Sequence, residues 1–205
     1  MDEPLSALDP SLRQHLREEL VEMQRALDIT FLFVTHDQEE AMSLATRIGI
    51  MNKGCLQQVG TPFELYEKPK TTFIAEFLGE INRLQGRVKK KTGNLLAITL
   101  GPAGNIQCSS ENSSLENREV TCYVRPEKIF FDTDGPQTEP VNILQGTLRK
   151  IQFFGSYTRY QLELSGGQTL TIASQHQNTG SPQYSVGDSV RIMFGTANTF
   201  ILNSK

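Results

Sequence analysis

The chain has 205 residues, 38% hydrophobic and 21% charged, with a formal net charge of −3. That balance excludes a disordered composition and gives no electrostatic reason to bind nucleic acid or an anionic membrane. No apolar run reaches the roughly 18 residues of a membrane-spanning helix, and no basic segment followed by an apolar core reads as a secretory signal. The three cysteines, Cys55, Cys108 and Cys122, are odd in number and widely spaced. They read as reduced thiols rather than a disulfide framework or a metal site.

Two textures divide the chain into residues 1–80, rich in helical patterning, and 81–205, rich in Gly, Ser, Thr, Asn and short β-like runs. Asp9-Pro10 is a helix-start signal. Leu12, Leu16, Leu20, Met23 and Leu27 then form one apolar stripe expected to pack in a core, with Arg13, Arg17, Glu18 and Glu22 opposite. Ile29–Thr35 is continuous, apolar and β-branched, the pattern of a strand buried on both faces of a parallel sheet. A short helix over 38–45 follows. A β-hairpin is expected from Arg47–Met51 and Cys55–Val59 around Asn52-Lys53-Gly54. Thr61-Pro62 opens another helix, and a last one over 71–78 ends at Gly79.

The second region carries a weak repeat of about 60 residues, suggesting a small barrel or sandwich. Leu84-Gln85-Gly86 is echoed by Leu144-Gln145-Gly146, and Val124-Arg125 by Val190-Arg191. The Lys89-Lys90-Lys91 run reads as a solvated strand end. Arg125 could support the β-rich region or contact a ligand, and support is the favoured reading.

Chemistry concentrates at the chain start. Asp2 and Glu3 are paired carboxylates of the kind that divide labour between Mg²⁺ and water. His36 follows the Ile29–Thr35 run, where ligands sit in open α/β sheets. His15 and His176 read as uninvolved.

These residues resemble the ATPase subunits of ABC importers. Asp2-Glu3-Pro4-Leu5-Ser6-Ala7-Leu8-Asp9 is similar to the end of the Walker B strand and the D-loop. Val34-Thr35-His36-Asp37 is similar to the switch-histidine loop. Gln38-Glu39-Glu40-Ala41-Met42 and Gly60-Thr61-Pro62-Phe63-Glu64-Leu65-Tyr66 resemble the branch importing sugars, polyamines, iron and oxyanions. Val124-Arg125-Pro126-Glu127 resembles its transport-associated OB-fold (TOBE) domain, and Phe77-Leu78-Gly79-Glu80-Ile81-Asn82 its spermidine/putrescine-importing members.

The resemblance implies an α+β chain: a truncated α/β remnant of a P-loop ATPase over 1–80, then an all-β, OB-like regulatory barrel over 81–205. It implies that Asp2 binds Mg²⁺ through water and Glu3 handles the hydrolytic water. Ser6, Ala7, Leu8 and Asp9 would touch a second ATPase copy near the nucleotide, and His36 would meet the γ-phosphate of ATP. The implied partners are that second copy and transmembrane permease subunits, at the cytoplasmic face of the membrane.

Two family features are missing. No Gly-x-x-x-x-Gly-Lys-Ser/Thr cradle occurs, although phosphate binding by such ATPases depends on it. Only Met1 precedes Asp2, so the Walker B strand is absent. Leu164-Ser165-Gly166-Gly167-Gln168 matches the signature motif by letter but lies among β-like residues and reads as a turn. The chain alone is therefore expected neither to bind ATP tightly nor to hydrolyse it, with no ATP or Mg²⁺ bound. It is also expected to dimerise or swap elements through the uncovered 29–35 run, or to leave its first 50 residues disordered. The alternatives are a small-ligand or anion-binding module, and an ATPase assembled in trans with a separate N-terminal half.

Overall fold

The structure is a computed structural model that describes residues 10–110, 115–132, 141–175 and 184–202. It divides into two compact units, Met1–Gly79 and Glu80–Lys205.

The first unit holds helices α1 (Pro10–Leu27) and α2 (Gln38–Leu44), a hairpin of β1 (Ile48–Asn52) and β2 (Cys55–Gly60), and helices α3 (Pro62–Glu67) and α4 (Thr72–Phe77). The β1–β2 connection is the two-residue Lys53-Gly54, with φ of +48° and +76°. Positive φ at both central residues suits the twist of paired antiparallel strands. Helix α3 starts on a capping box: the Thr61 side chain accepts from the Glu64 amide, and the Glu64 side chain accepts from the Thr61 amide. Ile48, Ile50, Leu65, Ile74 and Leu78 form the small core.

Two expectations fail in this unit. Ile29–Thr35 is not a strand: Val34 is its one bridging residue. A run buried on both faces needs a paired neighbour on each side, and among the described residues no such ladder forms. Leu32 is accordingly 79% exposed and Val34 54%. The α1 stripe is not core either, since Leu12, Met23 and Leu27 are exposed. The parallel sheet of an α/β ATPase remnant is thus not present among the described residues, and the only sheet of this unit is the β1–β2 hairpin.

The second unit contains β3 (Asn82–Thr92), β4 (Leu95–Thr99), β5 (Asn105–Ser109), β6 (Glu119–Val124), β7 (Ile129–Phe131), β8 (Val141–Phe153), β9 (Tyr157–Leu164), β10 (Thr169–Gln175), β11 (Ser189–Gly195) and β12 (Phe200–Ile201). They form two five-stranded antiparallel sheets, ordered β10-β9-β8-β11-β7 and β12-β6-β3-β4-β5, of OB-like barrel type. Leu84, Val88, Leu96 and Ile98 from one sheet and Leu148, Leu162, Ile172 and Ile192 from the other share one core. Alternate burial along β4, β9 and β10 places Leu96, Ile98, Leu162 and Ile172 inward.

The two sheets are copies of one meander. Strands β3 and β8 are both long, and each shifts register at the same place, between Val88 and Lys90 and between Leu148 and Lys150. Each copy gives its last strand away. Strand β7, which ends the first copy, pairs with β11 of the second, and β12, which ends the second, pairs with β6 of the first. The Leu84/Leu144 echo is therefore structural. The Val124-Arg125/Val190-Arg191 echo is out of register: Val190 faces Gly146 as Val120 faces Gly86.

Candidate functional site

His36 sits in the turn that leads into α2. Asp37 is the N-cap of that helix, with extended φ and ψ of −81° and 114°. Its Oδ1 accepts from the Glu39 amide at 2.9 Å and the Glu40 amide at 3.1 Å. These are two of the donors a helix start leaves open. Glu39 and Glu40 in the first turn favour the positive end of the helix.

The residue before His36 is fixed as well. Thr35 Oγ1 accepts from the Asp37 amide at 3.0 Å and donates to Glu40 Oε2 at 2.8 Å. Glu40 is only 2% exposed. Burying a carboxylate demands compensation, and Arg17 of α1 faces it. One guanidinium nitrogen, Nη2, lies 3.6 Å from Glu40 Oε1 and 3.6 Å from Asp37 Oδ2. His36 itself is exposed. The arrangement is an exposed histidine in a turn whose two flanking residues are tied down. Asp2, Glu3, Ser6, Ala7, Leu8 and Asp9 lie outside the described residues, so no geometry joins them to His36.

Sequence reasoning placed Arg17 on a solvated face and gave Glu40 no role. An aspartate directly before the helix, Asp37 before Gln38, is the signal that marks the cap from sequence. The partnership with Arg17 spans two elements and leaves no local signal.

The second unit offers a polar depression of about 320 Å³ lined by Glu80, Lys150, Gln152, Arg159, Gln161 and Thr171. Its Arg159 is ion-paired with Glu80. Arg125, 3% exposed, donates from Nη1 to the Glu80 carbonyl at 3.3 Å. Glu80 is thus gripped at its carboxylate and at its carbonyl, and Arg125 does the supporting work expected of it. Leu164–Gln168 is the β9–β10 turn, with φ of +94° at Gly166 and +85° at Gly167. Gln168 exchanges two hydrogen bonds with the backbone of Gln85, at 2.7 and 3.1 Å. Among the described residues, no group of three His, Cys, Asp or Glu side chains is placed to hold a metal ion, and no helix is long and apolar enough to cross a membrane.

The TOBE domain family matches residues 122–202, from within β6 to just past β12. That stretch of the chain is similar to TOBE domains. The paired meanders that include the matched stretch begin forty residues earlier, at Asn82 in β3. Over its whole length the chain is also similar to proteins named spermidine/putrescine import ATP-binding protein PotA. The one from Pseudomonas fluorescens is 37% identical over 203 residues, covering 98% of this chain and 53% of the relative. The one from Thermobifida fusca is 34% identical over 202 residues, covering 98% and 52%. The chain therefore spans about half the length of the curated relatives it matches. Among solved structures, the cytoplasmic molybdate-binding protein ModG superposes with a TM-score of 0.51 at 20% identity, covering 60% of this chain and 96% of that one. That likeness carries the fold of the TOBE unit and nothing about its ligand.

Proposed function

We propose that this chain supplies the C-terminal part of the ATP-binding subunit of an ABC importer for polyamines. The observation that carries the reading is the likeness to the PotA proteins along 98% of the chain, His36 and its turn included. On this reading residues 1–80 are the end of a P-loop ATPase domain, and the TOBE unit regulates it. Asp2 holds Mg²⁺ through water, Glu3 directs the attacking water, and His36 meets the terminal phosphate of ATP. Ser6 to Asp9 touch a second copy across the nucleotide, and permease subunits dock at the cytoplasmic face of the membrane.

Asp2, Glu3 and His36 would supply the water-activating and phosphate-sensing side of such a site. Bound ATP would bring the scissile phosphoanhydride, and Mg²⁺ would neutralise its charge. The backbone-rich phosphate cradle has no counterpart in the sequence, so the nucleotide would be held by chain other than these 205 residues.

Two measurements test the reading. Labelled ATP with Mg²⁺, titrated into the purified chain, is expected to show no micromolar binding. Disrupting the gene in its host is expected to abolish energised uptake of labelled spermidine or putrescine. Unchanged uptake of both would overturn the importer assignment.

A further inference from the structure

We infer that Arg17, Thr35 and Glu40 form a clamp that positions His36. The inference rests on the reading of His36 as the residue that meets nucleotide phosphate. It adds residues to that site that act through the turn rather than by touching the ligand.

One contact holds a peptide unit of His36, and the others tie down the two residues that flank it. The Asp37 amide, directly after His36, is held by Thr35 Oγ1, directly before it. The same hydroxyl passes its proton toward the buried Glu40 carboxylate. The Asp37 carboxylate holds the first amides of α2. One guanidinium then faces both acids at equal distance. At 3.6 Å this is a charge contact rather than a directed hydrogen bond, so it fixes where the two acids sit together. Among the described residues, the charged groups around the turn include Arg17 from α1 and Asp37, Glu39 and Glu40 from the start of α2.

The cost of the arrangement argues that position is what it secures. The Arg17 side chain is 16% exposed, and its Nε is buried with no hydrogen-bond partner among the described residues. A desolvated, unsatisfied donor and a buried carboxylate are a poor route to stability, since apolar residues of similar volume often serve as well or better. What the ionic cluster provides is a single geometry for the turn that carries His36. Reactive groups depend on such supporting shells to hold them within a fraction of an ångström of the productive place.

The test uses the 205-residue chain without nucleotide, followed by NMR. In Arg17→Met, exchange protection of the Asp37, Glu39 and Glu40 amides is expected to fall roughly tenfold, as expected when a local opening loses its ionic tie. The His36 Cε1–H signal is expected to broaden or split, and Arg17→Lys to restore both readouts in large part. Thr35→Val removes the hydroxyl relay without touching a charge, and is expected to release the Asp37 amide and broaden the His36 signal. If α1 melts in Arg17→Met, as far-UV circular dichroism would reveal, Thr35→Val decides. A sharp His36 signal and unaltered Asp37 protection in a folded variant would overturn the clamp. Because no nucleotide is present, that outcome leaves the importer reading untouched. A clamped His36 in a chain whose loss does not affect uptake would sink the importer reading alone.

Discussion

Gly86 and Gly146 occupy the same place in the two copies of the TOBE meander, sixty residues apart, each pressed against the backbone of the next strand. A Cβ on Gly86 would lie 2.6 Å from Ile98 Cγ2 and 2.8 Å from the Thr99 carbonyl oxygen. One on Gly146 would lie 2.5 Å from the Glu163 carbonyl oxygen. Each glycine faces a valine across the ladder, Val120 and Val190. The missing side chain is what lets two strands close over the shared core.

Alanine at either position is therefore expected to destabilise the TOBE unit by about 1–3 kcal/mol, the usual cost of overpacking. Gly146→Ala should be the worse, because its nearest obstacle is backbone, whereas Ile98 at Gly86 is a side chain with some room to turn. Thermal unfolding reads this directly, at about 2–4 °C per kcal/mol for a chain of this size. An unchanged midpoint in Gly146→Ala would contradict the close approach.

Asn82 and Asn142 make a second matched pair, and a second expectation. Asn82, at the start of β3, binds both the Thr171 amide at 2.6 Å and the Thr171 carbonyl at 2.8 Å. Asn142, at the start of β8, does the same to Gln107, also at 2.6 and 2.8 Å. Thr171 lies on β10 and Gln107 on β5, the edge strands of the opposite sheets. Each side-chain amide thus stands in for a neighbouring strand and closes an edge that would otherwise offer free backbone groups. Replacing either asparagine with alanine leaves a donor and an acceptor unmatched, at about 1–3 kcal/mol by urea denaturation. Asn142→Ala should cost more, since Asn142 also reaches Thr199 Oγ1 at 3.4 Å. Equal, negligible effects would show that water replaces both contacts.

These pairs explain what the sequence could tell. The echo at Gly86 and Gly146 is readable because close backbone approach admits one residue type, so the repeat keeps its letters there. The exchange of β7 and β12 between copies leaves no such trace, because ladder partners far apart in the chain are chosen by the whole barrel. Val190-Arg191 misled for the same reason: its register is fixed by Gly146, not by distance along the chain. In the first unit, Lys53-Gly54 and Thr61-Pro62 were legible as local backbone chemistry. Ile29–Thr35 was not, since an apolar run declares that it needs neighbours without showing whether they are present. Arg17 and Glu40 escaped notice because their partnership joins two helices at a separation with no period.

The α3 cap carries a pH dependence. The Thr61 amide, and secondarily its hydroxyl, bind the Glu64 carboxylate and hold its pKa below the ordinary glutamate value. A lowered folded pKa means the cap's stabilisation is present above the unfolded value and is lost as pH falls through the folded one. Thr61→Gly keeps the amide and removes the hydroxyl, so the Glu64 titration, followed by carboxyl-carbon NMR, should move only part of the way back. A full return to the ordinary value would assign the effect to the hydroxyl and contradict the order of causes.

The cysteines give the last expectation. Cys55 is exposed on the hairpin, while Cys108 and Cys122 are buried in the TOBE core. Cys108 also donates from Sγ to the Thr199 carbonyl at 3.2 Å. The Cys122 thiol is pushed far above its usual range, first by its hydrogen bond with Cys108 and then by burial. Thiolate is the reactive form, so neither buried sulfur should answer a water-soluble thiol reagent at neutral pH. Of the three cysteines, the native chain should release colour for one, and denaturant should expose the other two. Cys55→Ser should silence the native reaction while leaving the denatured count at two. Rapid reaction of all three thiols in the folded chain would mean that β5 and β6 open readily, against the close packing of Cys108 and Cys122 in the shared core.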